Sequence, residues 1–293
     1  MNLERLSAFV VFSEHCNLTR AARTLCISQP ALHAQIARLS EELGVPLYLR
    51  LGRTLRLTQE GEQVAAFGRD LIAQVSAFSL RLRGESAAAP VILAAGEGAF
   101  LYLLGPAIQA FSQMKAAPLR LLTTDLDQTV AAIRSGEAQL GVAVLREAPE
   151  GLEATLLAAV PPALLLPGGH PLASGDGPVS LSDLQGARLI VPPRGRPHRE
   201  AIAEALGQAG VDWTVAVEAG GWELMRHFVA MGLGLALVNG FCPPPAGGIR
   251  RKVMGLPIRR YVILQRRGAR LSEGAAALRG ALLAHRDDWR DHA

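Results

Sequence analysis

The sequence predicts a mixed fold: an all-α N-terminal unit carrying a short hairpin, one long helix, and then an α/β body in two lobes. Three observations predict it. Apolar residues recur at helical spacing through the first helices, a heptad-like run follows residue 58, and strand-like and helix-like segments alternate from residue 91. A length of 293 residues suits two or three domains of ordinary size.

Composition narrows the class. Hydrophobic residues make up 49% of the chain with charge mixed throughout, which excludes a disordered protein. No apolar run approaches the ~20 residues needed to cross a bilayer. The opening "MNLERLSAFVVF" carries an early acid and no small-residue cleavage site, so no signal peptide is expected. Cys16, Cys26 and Cys242 have neither disulfide-framework nor zinc spacing. The expectation is a cytoplasmic protein with no cofactor and no metal. Residues 1–84 hold ten Arg against seven acids, and Arg50, Arg53 and Arg56 have no acid between them. A small basic unit on a near-neutral body suggests contact with a polyanion.

Leu3, Leu6, Phe9 and Val10 give the first helix. A second, short helix follows "HCN", with Thr19 as its expected N-cap and Ala21, Ala22 and Leu25 inward. "CIS" turns the chain, and Ser28 caps a third helix whose first turn tolerates Pro30. Leu32, Ile36, Leu39 and Leu43 form its buried stripe, so Gln29, His33, Gln35 and Arg38 lie off it. That is the geometry of a helix-turn-helix, whose second helix enters the major groove of DNA with its first turn on base edges. Gln29 can pair with adenine in a bidentate way, and Ser28 and His33 can serve several bases.

Two alternating runs, Leu47–Arg50 and Thr54–Leu57, then predict a hairpin whose tip carries Arg50 and Arg53 beside Gly52. Such a wing suits phosphate or minor-groove contact. The alternative is a protein-binding module with solvated charges. From Thr58 a long helix runs to about Arg83, with Glu60 and Glu62 in its first turn. Val64, Gly68, Leu71, Val75, Phe78 and Leu82 make a heptad seam, expected to be a dimer contact or, alternatively, packing on the chain's own body.

The run "LTRAARTLCISQPALHAQIARLSEELGVPLYLRLGRTLRLTQEGE" resembles the N-terminal half of LysR-type transcriptional regulators. The resemblance implies a homodimer or homotetramer on double-stranded operator DNA, with RNA polymerase a further candidate partner. It also implies an effector domain resembling type 2 periplasmic binding proteins, where a small metabolite adjusts transcription. By the same resemblance Gln29 and Pro30 are the base-facing pair, and Arg50 and Arg53 the wing contacts. Where the family often has Ser then Arg, this chain has His33 and Ala34, so its operator sequence is its own. The implied division is 1–58 for DNA binding, 59–84 for the linker helix and 85–90 for a hinge. The effector domain takes 91–293, with lobe I at 91–160 and 265–293 and lobe II at 161–264.

In the body, "VILAA", "LRLLTT" and "LGVAVL" read as strands separated by the helices "FLYLLGPAIQAFSQM" and "QTVAAIRSGEA". This βαβαβ alternation predicts a parallel sheet that binds ligands at its carboxyl edge. "PGGHPLA", "SLSDLQGARLIV" and "FVAMGLGLALVN" resemble runs of the family's effector domain. The loop "GEGAF" after the first strand lets backbone amides approach a ligand at Gly96, Glu97 and Gly98, with Phe100 behind them. It lacks the Ser and Thr hydroxyls usual in the family. Thr124 ends the second strand, Arg194, Arg196 and His198 stand in "PPRGRPH", Trp222 opens a helix, and Asn239 and Phe241 follow a strand. Glu97 facing these cations would suit an anionic or zwitterionic effector.

Rival readings lack their motifs. Leu101 occupies the third glycine position of a dinucleotide loop, and "HRE" lacks the Pro-Cys-x-x-Cys of a zinc deaminase. No Gly-x-Ser-x-Gly elbow occurs. An enzyme is therefore not expected. A redox-responsive or effector-independent regulator is the alternative. Against a redox switch, Cys242 has no partner cysteine in the body, and Cys16 and Cys26 are expected in the helical core.

Overall fold

The computed structural model describes residues 2–52, 54–82, 89–175 and 177–286. Arg53, most of the expected hinge and the last seven residues lie outside them. Helix α1 (Leu3–His15) is capped by the Asn2 side chain, which accepts from the Glu4 and Arg5 amides. Helix α2 (Leu18–Thr24) is capped by Asn17 rather than Thr19. Asn17 has the extended backbone an N-cap needs and accepts from the Arg20 amide, so Thr19 moves into the first turn. Helix α3 (Gln29–Leu43) starts at Ser28, with Pro30 in its first turn, and ends at Gly44 in a left-handed conformation. Leu6, Phe9 and Phe12 meet Ala21, Ala22, Leu32, Ile36 and Leu39 in one core. Strands β1 (Tyr48–Leu51) and β2 (Thr54–Leu57) pair antiparallel, Leu51 opposite Thr54.

Helix α4 (Gln59–Leu82) opens with the Thr58 hydroxyl accepting from the Gly61 amide. Its heptad seam divides in two. Gly68 lies so close to α1 that a Cβ there would sit 2.6 Å from Val10 Cγ2 and 3.0 Å from Leu6 Cδ1. Ala65 is buried beside it, and Val64 and Leu71 pack on the same core. The first half of the seam therefore serves the chain's own α1. Val75 and Phe78 are 40% and 54% exposed, and Phe67, three turns before Phe78 on the same side, is 51% exposed.

Lobe I is a five-stranded sheet in the order β4-β3-β5-β12-β6. Its strands are β3 (Val91–Ala95), β4 (Leu119–Thr123), β5 (Leu140–Val144), β6 (Leu152–Val160) and β12 (Arg259–Arg266). β3 runs parallel to β4 and β5, and β12 runs antiparallel to both β5 and β6. Helices α5 (Glu97–Tyr102), α6 (Gly105–Met114), α7 (Leu126–Ser135) and α10 (Glu273–Ala284) belong to this lobe. The single helix expected after β3 is broken at Leu103–Leu104 into α5 and α6, because Pro106 cannot continue a helix but suits the first turn of a new one. Lobe II holds β7 (Pro162–Pro167) between β10 (Ala236–Asn239) and β11 (Gly248–Lys252). It also holds the parallel pair β8 (Ala187–Val191) and β9 (Trp213–Glu218), joined to the rest by a bridge between Leu189 and Leu235. Helices α8 (Pro197–Gln208) and α9 (Trp222–Ala230) complete it.

The expected boundary at residue 265 is corrected. Residues 259–264 lie inside β12, which fills the gap between β5 and β6, so the second crossing between lobes falls just before Arg259. Tyr261 to Leu264 are buried, as a strand flanked on both sides requires.

The two glycine environments make a test. Gly68→Ala gains helix propensity yet forces a methyl into α1, so a net loss of about 1–2 kcal/mol is expected in denaturant unfolding. Gly280→Ala, on the open side of α10, meets nothing within 4 Å and should gain about 0.5–1 kcal/mol.

Candidate DNA interface and effector cleft

With Leu32, Ile36 and Leu39 turned inward, the first turn of α3 is left to solvent. Ser28, Gln29, Pro30 and His33 are all exposed there, as are Arg38 further along and Thr19 on α2. The Thr19 hydroxyl donates to Gln29 Oε1 at 3.0 Å. That bond leaves the Gln29 amide N–H groups and a second lone pair on Oε1 outward, the donor and acceptor an adenine edge needs. Ser28 spends one lone pair on the Ala31 amide at 3.3 Å as helix cap. At the wing, Arg50 Nε donates to the Gly52 carbonyl at 3.2 Å, which orients the guanidinium at the hairpin tip. Arg20 and Arg23, exposed on α2, were not singled out from sequence. Cys26 is exposed at a left-handed turn residue, not in the core, and Cys16, the left-handed cap of α1, is half-buried.

Between the lobes the strand ends and helix starts meet closely. A Cβ on Gly98 would lie 2.1 Å from Trp222 Cδ1, so only glycine lets that indole rest on α5. Gly221, with φ of +87°, faces the Glu97 carboxylate, and a Cβ there would be 3.1 Å from Oε2. The Tyr102 hydroxyl donates to Glu223, which also accepts from Arg226 at 2.7 Å. These two bonds, the Tyr102 one first, hold the Glu223 carboxyl below its ordinary range. Arg196 pairs with Asp125 at 3.5 Å. Asn239 Nδ2 donates to Tyr261 Oη at 2.6 Å, and Phe241 packs between Tyr102 and Tyr261.

His198 is the centre of this seam. Arg259 Nη2 lies 3.1 Å from His198 Nδ1, and His198 Nε2 lies 2.8 Å from the Leu237 carbonyl. A guanidinium can only donate, so Nδ1 accepts and the proton sits on Nε2. The ring meets Trp222 edge-on at 4.9 Å. Burial drives the His198 pKa down to about 4, against the pull of the Leu237 carbonyl and with a smaller push from Arg259.

Of the expected effector residues, Glu97, Gly98, Arg196, His198 and Trp222 are brought to the seam. His198 is neutral and Arg196 is taken by Asp125, so neither is a free cation facing Glu97. Phe100 packs on the lobe I core, and the Thr124 hydroxyl bonds Thr129 at 2.7 Å. Arg194 is exposed in the turn before α8. Asn239 and Phe241 are buried ties between lobes rather than a ligand-facing surface. Sequence reasoning missed Tyr102, Glu223, Arg259 and Arg146. The available signal was an arginine at the end of each of two buried strands.

The neutral His198 makes stability depend on pH. An unfolded histidine titrates near 6.5, so between pH 6.5 and 4 the unfolded chain binds a proton that the folded chain excludes, and stability falls as pH falls. Between pH 7.5 and 5 the wild type should lose about 2 kcal/mol more than His198→Gln in urea unfolding. Equal losses would contradict this origin.

The chain matches the family described as LysR substrate binding domain over residues 84–287, and the bacterial regulatory helix-turn-helix protein, lysR family, over residues 3–62. It is 28% identical over 294 residues to the RuBisCO operon transcriptional regulator of Allochromatium vinosum, covering 97% of this chain and 96% of the relative. It is 32% identical over 247 residues to the HTH-type transcriptional regulator BudR of Raoultella terrigena, covering 81% and 84%. Among solved structures, full-length LysG from Corynebacterium glutamicum with bound effector Arg superposes with a TM-score of 0.71 at 19% identity, covering 98% of this chain and 99% of that one. Full-length OxyR from Pseudomonas aeruginosa, in a cysteine-to-aspartate variant, gives 0.68 at 23%, covering 98% and 95%. Proteins built from these two domains are transcriptional regulators, not enzymes, and among the described residues no helix is long and apolar enough to cross a membrane. The chain belongs to the LysR family of DNA-binding transcriptional regulators with an effector-binding domain.

Proposed function

We propose that residues 2–57 read an operator as one half of a dimer, and that a small effector held between lobes I and II adjusts the outcome. The carrying observation is the first turn of α3, polar and wholly exposed, with Gln29 oriented by Thr19. Gln29, Ser28, Pro30 and His33 face base edges, while Arg38 and Arg50 face phosphates or the minor groove; Arg53, expected in the same role, lies outside the described residues. The exposed half of α4, with Val75 and Phe78, meets the partner's equivalent helix. Helix α4 acts as the linker; the expected hinge, 85–90, lies mostly outside the described residues. Pairing of two dimers, and contact with RNA polymerase, follow from the family reading alone.

Two neighbouring residues of α4 join the linker to lobe I. Arg69 Nε donates to the Ser135 carbonyl at 2.5 Å, and its Nη1 donates to Ser13 Oγ on α1 at 3.1 Å. Asp70 pairs with Arg266 at the end of β12. A shift of α7 or β12 on effector binding would reach α1 through this pair, provided the effector has unequal affinity for the two arrangements.

A redox reading has support from relatives such as the DNA-binding transcriptional dual regulator OxyR of Escherichia coli. Here the Cys242 thiol is buried and its pKa is pushed up to about 12, mainly by that burial, and no other cysteine follows Cys26. A reactive thiolate needs the opposite environment. Peroxide treatment should leave DNA affinity and bending unchanged.

Fluorescence anisotropy on DNA upstream of the protein's own gene, against scrambled DNA over a salt series, tests the DNA reading. Preference of ~1000-fold or more is expected. Gln29→Ala should cost ~1–3 kcal/mol on the true site only, and Thr19→Val about 0.5–1.5 kcal/mol. Arg50→Ala should weaken binding to every sequence and flatten the salt slope by about one unit per subunit. Indistinguishable behaviour of the Gln29 and Arg50 variants would refute the division into base and phosphate contacts.

A further inference from the structure

The carboxyl edge of the lobe I sheet carries a pair of like charges, Arg146 and Arg259. Tyr261 of β12 stands opposite Val144 of β5, and the Leu145 amide donates to the Arg260 carbonyl at 3.1 Å. Past these partners the chain bends at Arg146, two residues beyond β5, while Arg259 opens β12 at the same end of the sheet. The two like charges are near enough for Arg146 to disfavour the charged form of Arg259. Among the described residues neither arginine forms an ion pair. Arg259 spends one N–H on His198 Nδ1, so four of a guanidinium's five N–H donors remain unused among the described residues. Arg146 makes no hydrogen bond among them.

Among the described residues no carboxylate is paired with Arg259. Across the seam from Arg259 stands the neutral His198, Val160 of β6 is its other strand neighbour, and Tyr261 follows on its face. Burial lowers the Arg259 pKa, Tyr261 raises it and Arg146 lowers it again. His198 contributes an acceptor that fixes the plane of one guanidinium. Arg146 is exposed and Arg259 half-buried, so a ligand can reach both.

We propose that Arg146 and Arg259 form the anion-binding end of the effector cleft, gripping the carboxylate or phosphate headgroup of a small metabolite. The inference rests on the cleft between the lobes being the effector site. Two guanidinium forks match two-oxygen headgroups in a way that lysines would not. An anion between them converts two repelling charges into two charge-assisted contacts, one to the bend after β5 and one to β12. Since β12 also ends in the Arg266 contact with Asp70 of α4, occupancy at one end of the strand lies in line with the linker at the other.

The test uses the full-length protein, thermal unfolding, and three probes at 10 mM against ionic-strength-matched sodium chloride: inorganic phosphate, succinate and tetramethylammonium. In anion-free buffer Arg146→Gln should melt higher than wild type, because it removes the like-charge pair. Phosphate or succinate should stabilise the wild type and bind Arg146→Gln and Arg259→Lys about tenfold more weakly, while tetramethylammonium does nothing. A response to succinate alone assigns a carboxylate, and one to phosphate alone assigns a phosphate. Equal anion effects on wild type and both variants overturn the proposal. So does a neutral or cationic metabolite, found by screening DNA binding, whose action is lost in Trp222→Ala but kept in Arg146→Gln. That last result would leave the cleft standing as the effector site, whereas metabolites that act undiminished on Trp222→Ala would remove the cleft reading itself.

Discussion

Everything in this chain is hung on the crossing of α1 and α4 at Gly68. The absence of a side chain there lets Val10 and Leu6 reach the long helix backbone, and that closeness fixes how the DNA-reading unit sits on its stalk. Gly61 is under a similar constraint about two turns earlier, where a Cβ would collide with the Leu47 carbonyl at 1.9 Å. One helix thus serves three clients. One face holds α1, Arg69 and Asp70 hold lobe I, and Val75 and Phe78 are left facing outward. A longer seam on α4 would have been a stronger dimer contact but would have left α1 without its packing partner.

The two lobes are joined by polar contacts rather than by a dry core. Tyr102 with Glu223, Arg196 with Asp125, Arg259 with His198 and Asn239 with Tyr261 each cross the seam. The exposed pair Arg196–Asp125 exchanges readily for water or ligand groups, whereas the buried Asn239–Tyr261 bond would leave both groups unsatisfied if it broke. Apolar contacts join the lobes at two places, Phe241 wedged between Tyr102 and Tyr261 and the Trp222 indole resting on Gly98.

The N-terminal unit was legible in sequence because its signals are local. The Leu32 to Leu39 stripe, the Ser28 cap and the Thr58 start of α4 each depend on neighbours a few positions away, and each is realised. The Thr19 cap failed for a local reason too, since Asn17 two residues earlier competes for the same role. The body was legible as alternating strands and helices but not in its crossings. β12 looks in sequence like any apolar strand, and nothing local says that it must lie between β5 and β6. The cleft was least legible. Arg146 and Arg259 are far apart in the chain and come to one edge only because β12 pairs with β5, while His198 loses its charge through burial that no spacing announces.

The central place of β12 also sets an order of assembly. Lobe II is an insertion within lobe I, so β5 and β6 wait with unpaired edges until the last strand leaves the ribosome. The reading head, complete once α4 has emerged, depends on none of this and folds from short-range contacts. A chain cut off anywhere between α4 and β12 would therefore hold an intact DNA-binding head beneath an unfinished sensor. Quality control of such fragments becomes a matter of gene regulation, since an orphaned head could occupy operators that no metabolite can clear.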